Sequence, residues 1–135
     1  MVRGICSLRP GVEGMSDNIR VRSIVGRFLE HSRLYNFETD EHTLYLIGSA
    51  DLMPRNLDHR IEIVVPVLDP KVQQELNAVF EILLADNASA WVLGPDGAWE
   101  RLSPPKGTRA RATQSELMRR ARTRARRRNG SRRSR

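Results

Sequence analysis

The sequence predicts an α/β (α+β) domain, a mixed sheet flanked by helices, followed by a disordered basic C-terminal tail. Three observations predict it. HSRLYNF (31–37) alternates across two faces, with His31, Arg33, Tyr35 and Phe37 on one and Ser32, Leu34 and Asn36 on the other. TLYLIGS (43–49) is a nearly unbroken apolar run of strand length, which suits a strand buried on both faces. Val72, Leu76, Val79, Phe80 and Leu83 form one apolar stripe, which predicts a helix over 70–85.

Length and composition bound the rest. At 135 residues the chain is one domain's worth, and 39% hydrophobic content allows a modest core. The single cysteine, Cys6, excludes an internal disulfide or a cysteine zinc cluster and fits a reducing compartment. It lies in the apolar run ICSL and reads as a small buried hydrophobe. No apolar stretch reaches the roughly 18 residues of a membrane span, and the first residues lack the apolar core of a signal peptide. The cytoplasm is the expected location. The net charge of +7 is unevenly placed. Residues 106–135 hold 13 Lys/Arg against Glu116, whereas residues 1–105 hold 10 against 15 acids. Within the body the arginines crowd into the first 60 residues, which points to a local anionic ligand there.

In chain order, VRGICSL (2–8) reads as a short buried strand. A chain that opens inside a strand looks cut from something longer. RPGVEG (9–14) is a loop. Ser16 or Asp17 can cap a helix over about 18–29, with Val21, Ile24, Val25 and Phe28 on its apolar face. ETDEH (38–42) is a polar turn that makes a hairpin of 31–37 and 43–49. ADLMPRN (50–56) is a loop, and HRIEIVVPV (59–67) a third strand. Asp69-Pro70 supplies a cap and a first-turn proline for the 70–85 helix. AWVL, GPDG and AWERL (90–102) form a hairpin around a Pro-Asp-Gly turn, across which Trp91 and Trp99 can pair. Packing accounts for these tryptophans more simply than base stacking does. The domain is expected to span 1–102, with a Pro/Gly linker and the Arg-rich tail over 103–135. Thr113 and Glu116 have the spacing of a capping box, which would let the tail form a helix on a polyanion.

Chemistry concentrates between Phe28 and Val64. His31 and Arg33 lie two apart on a strand, about 7 Å between side chains, a spacing for two oxygens of one phosphate group or chain. Imidazole can donate or accept a proton, and guanidinium is a permanent planar cation. Gly48-Ser49 offers a hydroxyl and an approachable backbone. Asp51, Arg55 and Asn56 follow, and Glu62 reads as an arginine's partner. His42 and His59 have no comparable company.

The run Gly48-Ser49-Ala50-Asp51, then Arg55-Asn56 and Glu62, resembles the second half of the phospholipase D signature. It departs from that signature at Arg33, Asp51 and Asn56, where the family has lysine, asparagine and serine. Those departures count against phosphodiester hydrolysis. A closer resemblance runs from residue 2 to about 102. VRGICSLRPGVEGMSDNIRVRSIVGRFLEHSRLYNF, YLIGSADLMPRNLDHRIEI and LLADNASAW look like the C-terminal phospholipase-D-like domain of polyphosphate kinase, the ATP:polyphosphate phosphotransferase.

That resemblance implies reversible transfer of the terminal phosphate of ATP to polyphosphate, with magnesium and a phosphohistidine intermediate. It implies that Arg3, of VRG, and His31, of FLEHSR, contact ATP. His31 would position the phosphate or move a proton rather than carry the phosphoryl group. Arg33, Ser49, Asp51 and Arg55 are expected as further phosphate contacts, argued from motif and charge. In the family the phosphohistidine, the magnesium-binding arginines and a nucleotide-stacking tyrosine belong to a preceding domain. No metal ligand is therefore assigned here, and the chain reads as a truncated product or a fragment that is inactive alone. Its expected partners are ATP or ADP, polyphosphate, and the remaining polyphosphate kinase domains or a homo-oligomer. The alternative reading is a non-catalytic polyanion or nucleic-acid binder acting through the tail.

Overall fold

The computed structural model describes residues 1–4 and 6–133, with side chains described through Arg126. In chain order the elements are β1 (Arg22–Ile24), β2 (Arg33–Glu38), β3 (Thr43–Gly48), α1 (Pro54–His59), β4 (Val64–Pro66), α2 (Pro70–Leu84), β5 (Ala90–Leu93), β6 (Trp99–Arg101) and α3 (Thr113–Arg133). The α/β character matches expectation. The strands, however, form two antiparallel three-stranded sheets, β1-β5-β6 and β2-β3-β4, rather than one mixed sheet. The chain divides into two compact units, Met1–Glu30 with Glu81–Arg135, and His31–Phe80.

In the first unit the core gathers Val21, Ile24, Ile82, Ala90 and Leu93. The helix expected over 18–29 is instead loop and strand. Val21, Ile24 and Val25 are β-branched, which favours a pleated strand, and β1 pairs Ser23 with Trp91 and Ile24 with Ala90. The Phe28 backbone bonds to a side chain. Its N–H donates to Gln114 Oε1 at 2.9 Å, and its carbonyl accepts from Gln114 Nε2 at 2.8 Å. The strand expected over 2–8 is absent from the described residues; only the Val2 N–H reaches β1, at the Arg22 carbonyl, 2.8 Å away. Ile5 lies outside the described residues. Cys6 is half-buried. Arg22 crosses to the end of α2, donating to the carbonyls of Leu84 and Asp86, the latter at 2.8 Å. A helix leaves its last carbonyls unpaired, and a guanidinium can satisfy two of them.

Asp86 organises the rest of this unit, with only 1% of its surface exposed. Its Oδ1 accepts the N–H groups of Ala88, Ser89 and Ala90 at 3.0, 2.6 and 3.0 Å. Its Oδ2 accepts the Thr113 N–H at 2.7 Å. Burial pushes this carboxyl up, but the N–H donors of Thr113, Ser89 and Ala88 and the Thr113 hydroxyl outweigh burial, so its pKa is lowered. The packed chain thus extends beyond 102, and the tail expected to be disordered from 108 is ordered at its start. Thr113 is as buried as Asp86 and its hydroxyl donates to the Ile82 carbonyl at 3.3 Å. It therefore makes no capping box, and Glu116 lies 3.8 Å from Arg119 instead. The Pro-Asp-Gly turn forms as expected, with Gly97 at φ 86°, a left-handed angle that glycine adopts without strain. The tryptophans are diagonal rather than opposite, since Trp91 faces Arg101 and Trp99 faces Leu93.

In the second unit β2 and β3 make the expected hairpin, closed by the Thr39 N–H on the His42 carbonyl at 3.0 Å. Tyr45, Ala50 and Val67 are buried, but Leu44 and Ile47 are exposed, so β3 is not covered on both faces. The third strand is shorter than expected. Only Val64–Pro66 pairs with β3, and Pro66, lacking an N–H, sits on the sheet edge. Residues expected as a loop begin α1, with Pro54 in its first turn, where a missing N–H costs nothing. Asp69 starts α2 as expected, its Oδ1 accepting the Lys71 N–H at 2.7 Å.

Candidate functional site

The hairpin β2–β3 sets the site. Pairing of Arg33 with Gly48 brings the start of β2 beside the end of β3, so the 49–56 loop meets His31 and Arg33. Two clusters result, both within the second unit.

The first is His31, Arg33 and Asp51. Arg33 Nε donates to Asp51 Oδ1 at 3.0 Å, and Nη2 lies 2.9 Å from the same oxygen. Arg33 Nη1 also donates to the His31 carbonyl at 2.7 Å and meets its ring Nδ1, while Nη2 lies 3.2 Å from Nε2. The guanidinium therefore lies against the imidazole and is itself anchored by Asp51. Arg33 is largely buried, whereas His31 is exposed. The imidazole is thus held in one place and reachable from solvent. Tyr35 steadies the loop beneath, its hydroxyl donating to the Ala50 carbonyl at 2.9 Å.

The second cluster centres on Glu62. Ser49 Oγ donates to Glu62 Oε2, and Asn56 Nδ2 donates to Oε1 at 2.8 Å. The expected pairing of Glu62 with an arginine is thereby corrected: two neutral donors hold it, because Asn56 is buried in α1 while Arg55 faces outward. The Ser49 and Asn56 hydrogen bonds lower the Glu62 pKa, with Arg60 and Arg33 adding charge attraction. Ser49 Oγ also accepts the Ile63 N–H at 3.1 Å, so this hydroxyl is used within the loop. Arg55 is exposed and makes no ion pair among the described residues. Arg3 belongs to the first unit and is also exposed.

Gly48 is where β3 passes closest to its neighbours. A Cβ there would stand 2.8 Å from the Ile63 carbonyl oxygen and 2.9 Å from Val64 Cγ2. Because the first obstacle is backbone, Gly48→Ala is expected to cost about 1–3 kcal/mol. Urea denaturation followed by the circular dichroism of the chain measures it.

Neither carboxylate of these clusters is free. Asp51 is committed to Arg33, and Glu62 to Ser49 and Asn56. Among the described residues no group of three or more His, Cys, Asp or Glu is placed to hold a metal ion. This donor set does not fit magnesium. Among the same residues no helix is long and apolar enough to cross a membrane.

Comparison with known proteins decides the family. Residues 1–114 match the family model described as polyphosphate kinase C-terminal domain 2. The chain belongs to the polyphosphate kinase C-terminal domain family. Polyphosphate kinase of Thermosynechococcus vestitus is 52% identical over 118 residues, 87% of this chain. That of Mycobacterium avium is 51% identical over 123 residues, 91% of this chain. The chain spans 16% of the length of either relative. The crystal structure of polyphosphate kinase from Porphyromonas gingivalis superposes with a TM-score of 0.84 at 35% identity, covering 92% of this chain and 19% of that one. The phospholipase reading thus gives way to a polyphosphate kinase domain.

The structure joins two of the expected contacts and adds Asp86, which the sequence did not single out. Arg33 and Asp51, expected to touch phosphate separately, are joined as a pair that fixes His31. The signal was present in the shared face of β2 and the short distance to the next loop. Asp86 gave no such signal, because its partners are backbone groups.

Proposed function

We propose that this domain contributes nucleotide and polyphosphate contacts to the reversible transfer of the terminal phosphate of ATP to polyphosphate. One observation carries the reading: in a chain of this family, an exposed His31 is held by an Arg33 already anchored on Asp51. Phosphoryl transfer depends mainly on positioning and charge stabilisation. A fixed imidazole can hydrogen-bond a phosphate oxygen or pass it a proton. Arg33 is a positioning residue, since its donors are engaged with Asp51 and His31. Arg3 and Arg55, both exposed, supply cationic contacts to ATP or to the phosphate chain. The magnesium ligands and the phosphohistidine are expected in the remaining polyphosphate kinase domains, and the reaction in the cytoplasm.

The surface of the second unit supports such partners. Ile63 is 65% exposed and Leu68 is 78% exposed, on either side of β4, where Val64 and Val65 are exposed too. Exposed large apolar side chains around a sheet edge suit contact with another domain or chain. The isolated chain is expected to make no polyphosphate. Incubation with ATP and magnesium, followed by electrophoresis for polymer and for labelled protein, tests this. Robust chain synthesis, or a stable phosphohistidine on His31, would overturn the reading.

A further inference from the structure

Residues 25–32, the run between β1 and β2, belong to no helix or strand. Val25 still reaches the Ser89 carbonyl through its N–H, at 3.2 Å. Further on, Phe28 and Leu29 are exposed, and apolar side chains left in water contribute little to fixing a backbone. A buried polar side chain holds the run instead. Gln114, in the first turn of α3, accepts the Phe28 N–H on its Oε1 at 2.9 Å. Its Nε2 spends its two hydrogens on the Phe28 carbonyl and on Glu30 Oε1, both at 2.8 Å. The amide therefore pairs with Phe28 as a neighbouring strand residue would, with one donor and one acceptor. Reversing the amide would set donor against donor at the Phe28 N–H, so one orientation alone serves.

Gly26 makes room for the amide. A Cβ there would stand 2.5 Å from Gln114 Oε1, 2.8 Å from its Cδ and 3.2 Å from its Nε2. Gly26 lies outside the left-handed region, so glycine is needed here for space. Gln114, Phe28 and Glu30 all belong to the first unit. The next residue along the chain is His31, whose own carbonyl accepts from Arg33 Nη1 at 2.7 Å. Arg33 thus secures His31 from the side that follows it, and Gln114 secures the backbone that leads into it. Such support matters for phosphoryl transfer, where a displacement of about 1 Å can cost about 100-fold in rate. We infer that Gln114 is a positioning residue for His31: it fixes the chain from Phe28 to Glu30, and with it the base from which the imidazole meets phosphate. It acts through that backbone and not by touching substrate. The inference rests on the role proposed above for His31.

The test compares the full chain with Gln114→Ala, Gln114→Glu and Gly26→Ala by NMR relaxation of the nitrogen-15-labelled proteins. Alanine removes the amide. Glutamate keeps its volume and can accept the Phe28 N–H, but it has no hydrogen for the Phe28 carbonyl and meets Glu30 with like charge. Gly26→Ala fills the space of the amide from the opposite side. In each variant the backbone order parameter of His31 is expected to fall from about 0.85 to below about 0.6. The His31 ring signals are expected to shift, while those of His42, held in its own turn with Thr39, stay in place. Combining Gly26→Ala with Gln114→Ala is expected to add little, because the new Cβ then meets no amide. A lower melting temperature with His31 unmoved would make Gln114 a stability contact and overturn the inference. Full additivity of the two substitutions, or failure of all three variants to fold, would do the same; if Gln114→Ala alone fails to fold, the other two decide. Joined to the remaining polyphosphate kinase domains, Gln114→Glu is expected to lower kcat about tenfold with little change in KM for ATP. Full kcat in Gln114→Glu beside an impaired His31→Ala enzyme would overturn the role of Gln114. Full kcat in both would instead remove the function proposed for His31.

Discussion

Asp86→Ala is expected to destabilise the first unit by about 3–5 kcal/mol, the largest stability effect of any single substitution here. The side chain is buried and accepts four backbone N–H groups, from Ala88, Ser89, Ala90 and Thr113. Truncation strands those donors, and each stranded buried group costs about 1–3 kcal/mol before any relaxation or water entry. Asp86→Asn retains one oxygen but turns an amide donor toward other donors, and is expected to cost about 1–3 kcal/mol. The pH dependence follows from the direction of the pKa change. The folded-state value lies below the ordinary 3.8, so the contribution is fully present above that pH and is lost as pH falls through the lower, folded-state value. Trp91 and Trp99 both lie in this unit, so tryptophan fluorescence during urea denaturation reports it selectively. The aspartate chain should lose stability in acid along that course, and the asparagine chain should lack this component. A loss below about 1 kcal/mol for Asp86→Ala would show that water replaces the carboxylate.

His31→Ala is expected to lower polyphosphate synthesis by about 100- to 1,000-fold when this domain works with the remaining polyphosphate kinase domains. Arg33→Lys should mimic part of that loss. A lysine can still pair with Asp51, but it cannot reach Asp51, the His31 carbonyl and the imidazole together as the planar fork does. Steady-state kinetics separates the two roles. If His31 acts on the transferred phosphate, its loss appears in kcat, whereas a pure binding contact appears in KM alone. Loss of Arg33 should leave ATP affinity nearly unchanged while lowering kcat, because its donors are spent on His31 and Asp51. A His31→Ala enzyme with full kcat would remove the imidazole from the chemistry.

What could be read from the sequence was what local chemistry encodes. The alternation of β2, the apolar stripe and Asp69-Pro70 start of α2, and the Pro-Asp-Gly turn each carry their instructions within a few residues. β1 was misread because its partner, β5, lies 66 or more residues further along, as the pairing of Ile24 with Ala90 illustrates. Val21, Ile24 and Val25 have spacing compatible with helix or strand, and the decision falls to β5 and Gln114. The site was legible as a set of residues but not as a wiring. Which acid faces which base depends on a β2–β3 register that places Arg33 opposite Gly48, and on α1, whose short helix turns Asn56 inward to Glu62. Asp86 was invisible because a carboxylate that binds backbone N–H groups needs no particular side chains around it.

The division of the chain bears on its synthesis. The second unit is one continuous segment, His31–Phe80, set within a first unit whose two parts lie on either side of it. The second unit can therefore assemble as soon as it leaves the ribosome. β1 must wait for β5, and Asp86 for Thr113, which emerges later still. During that interval, several seconds at usual elongation rates, Val21 and Ile24 have no sheet partner. A nascent chain halted when Phe80 but not Thr113 has emerged would carry a complete inner segment and an unclosed outer one.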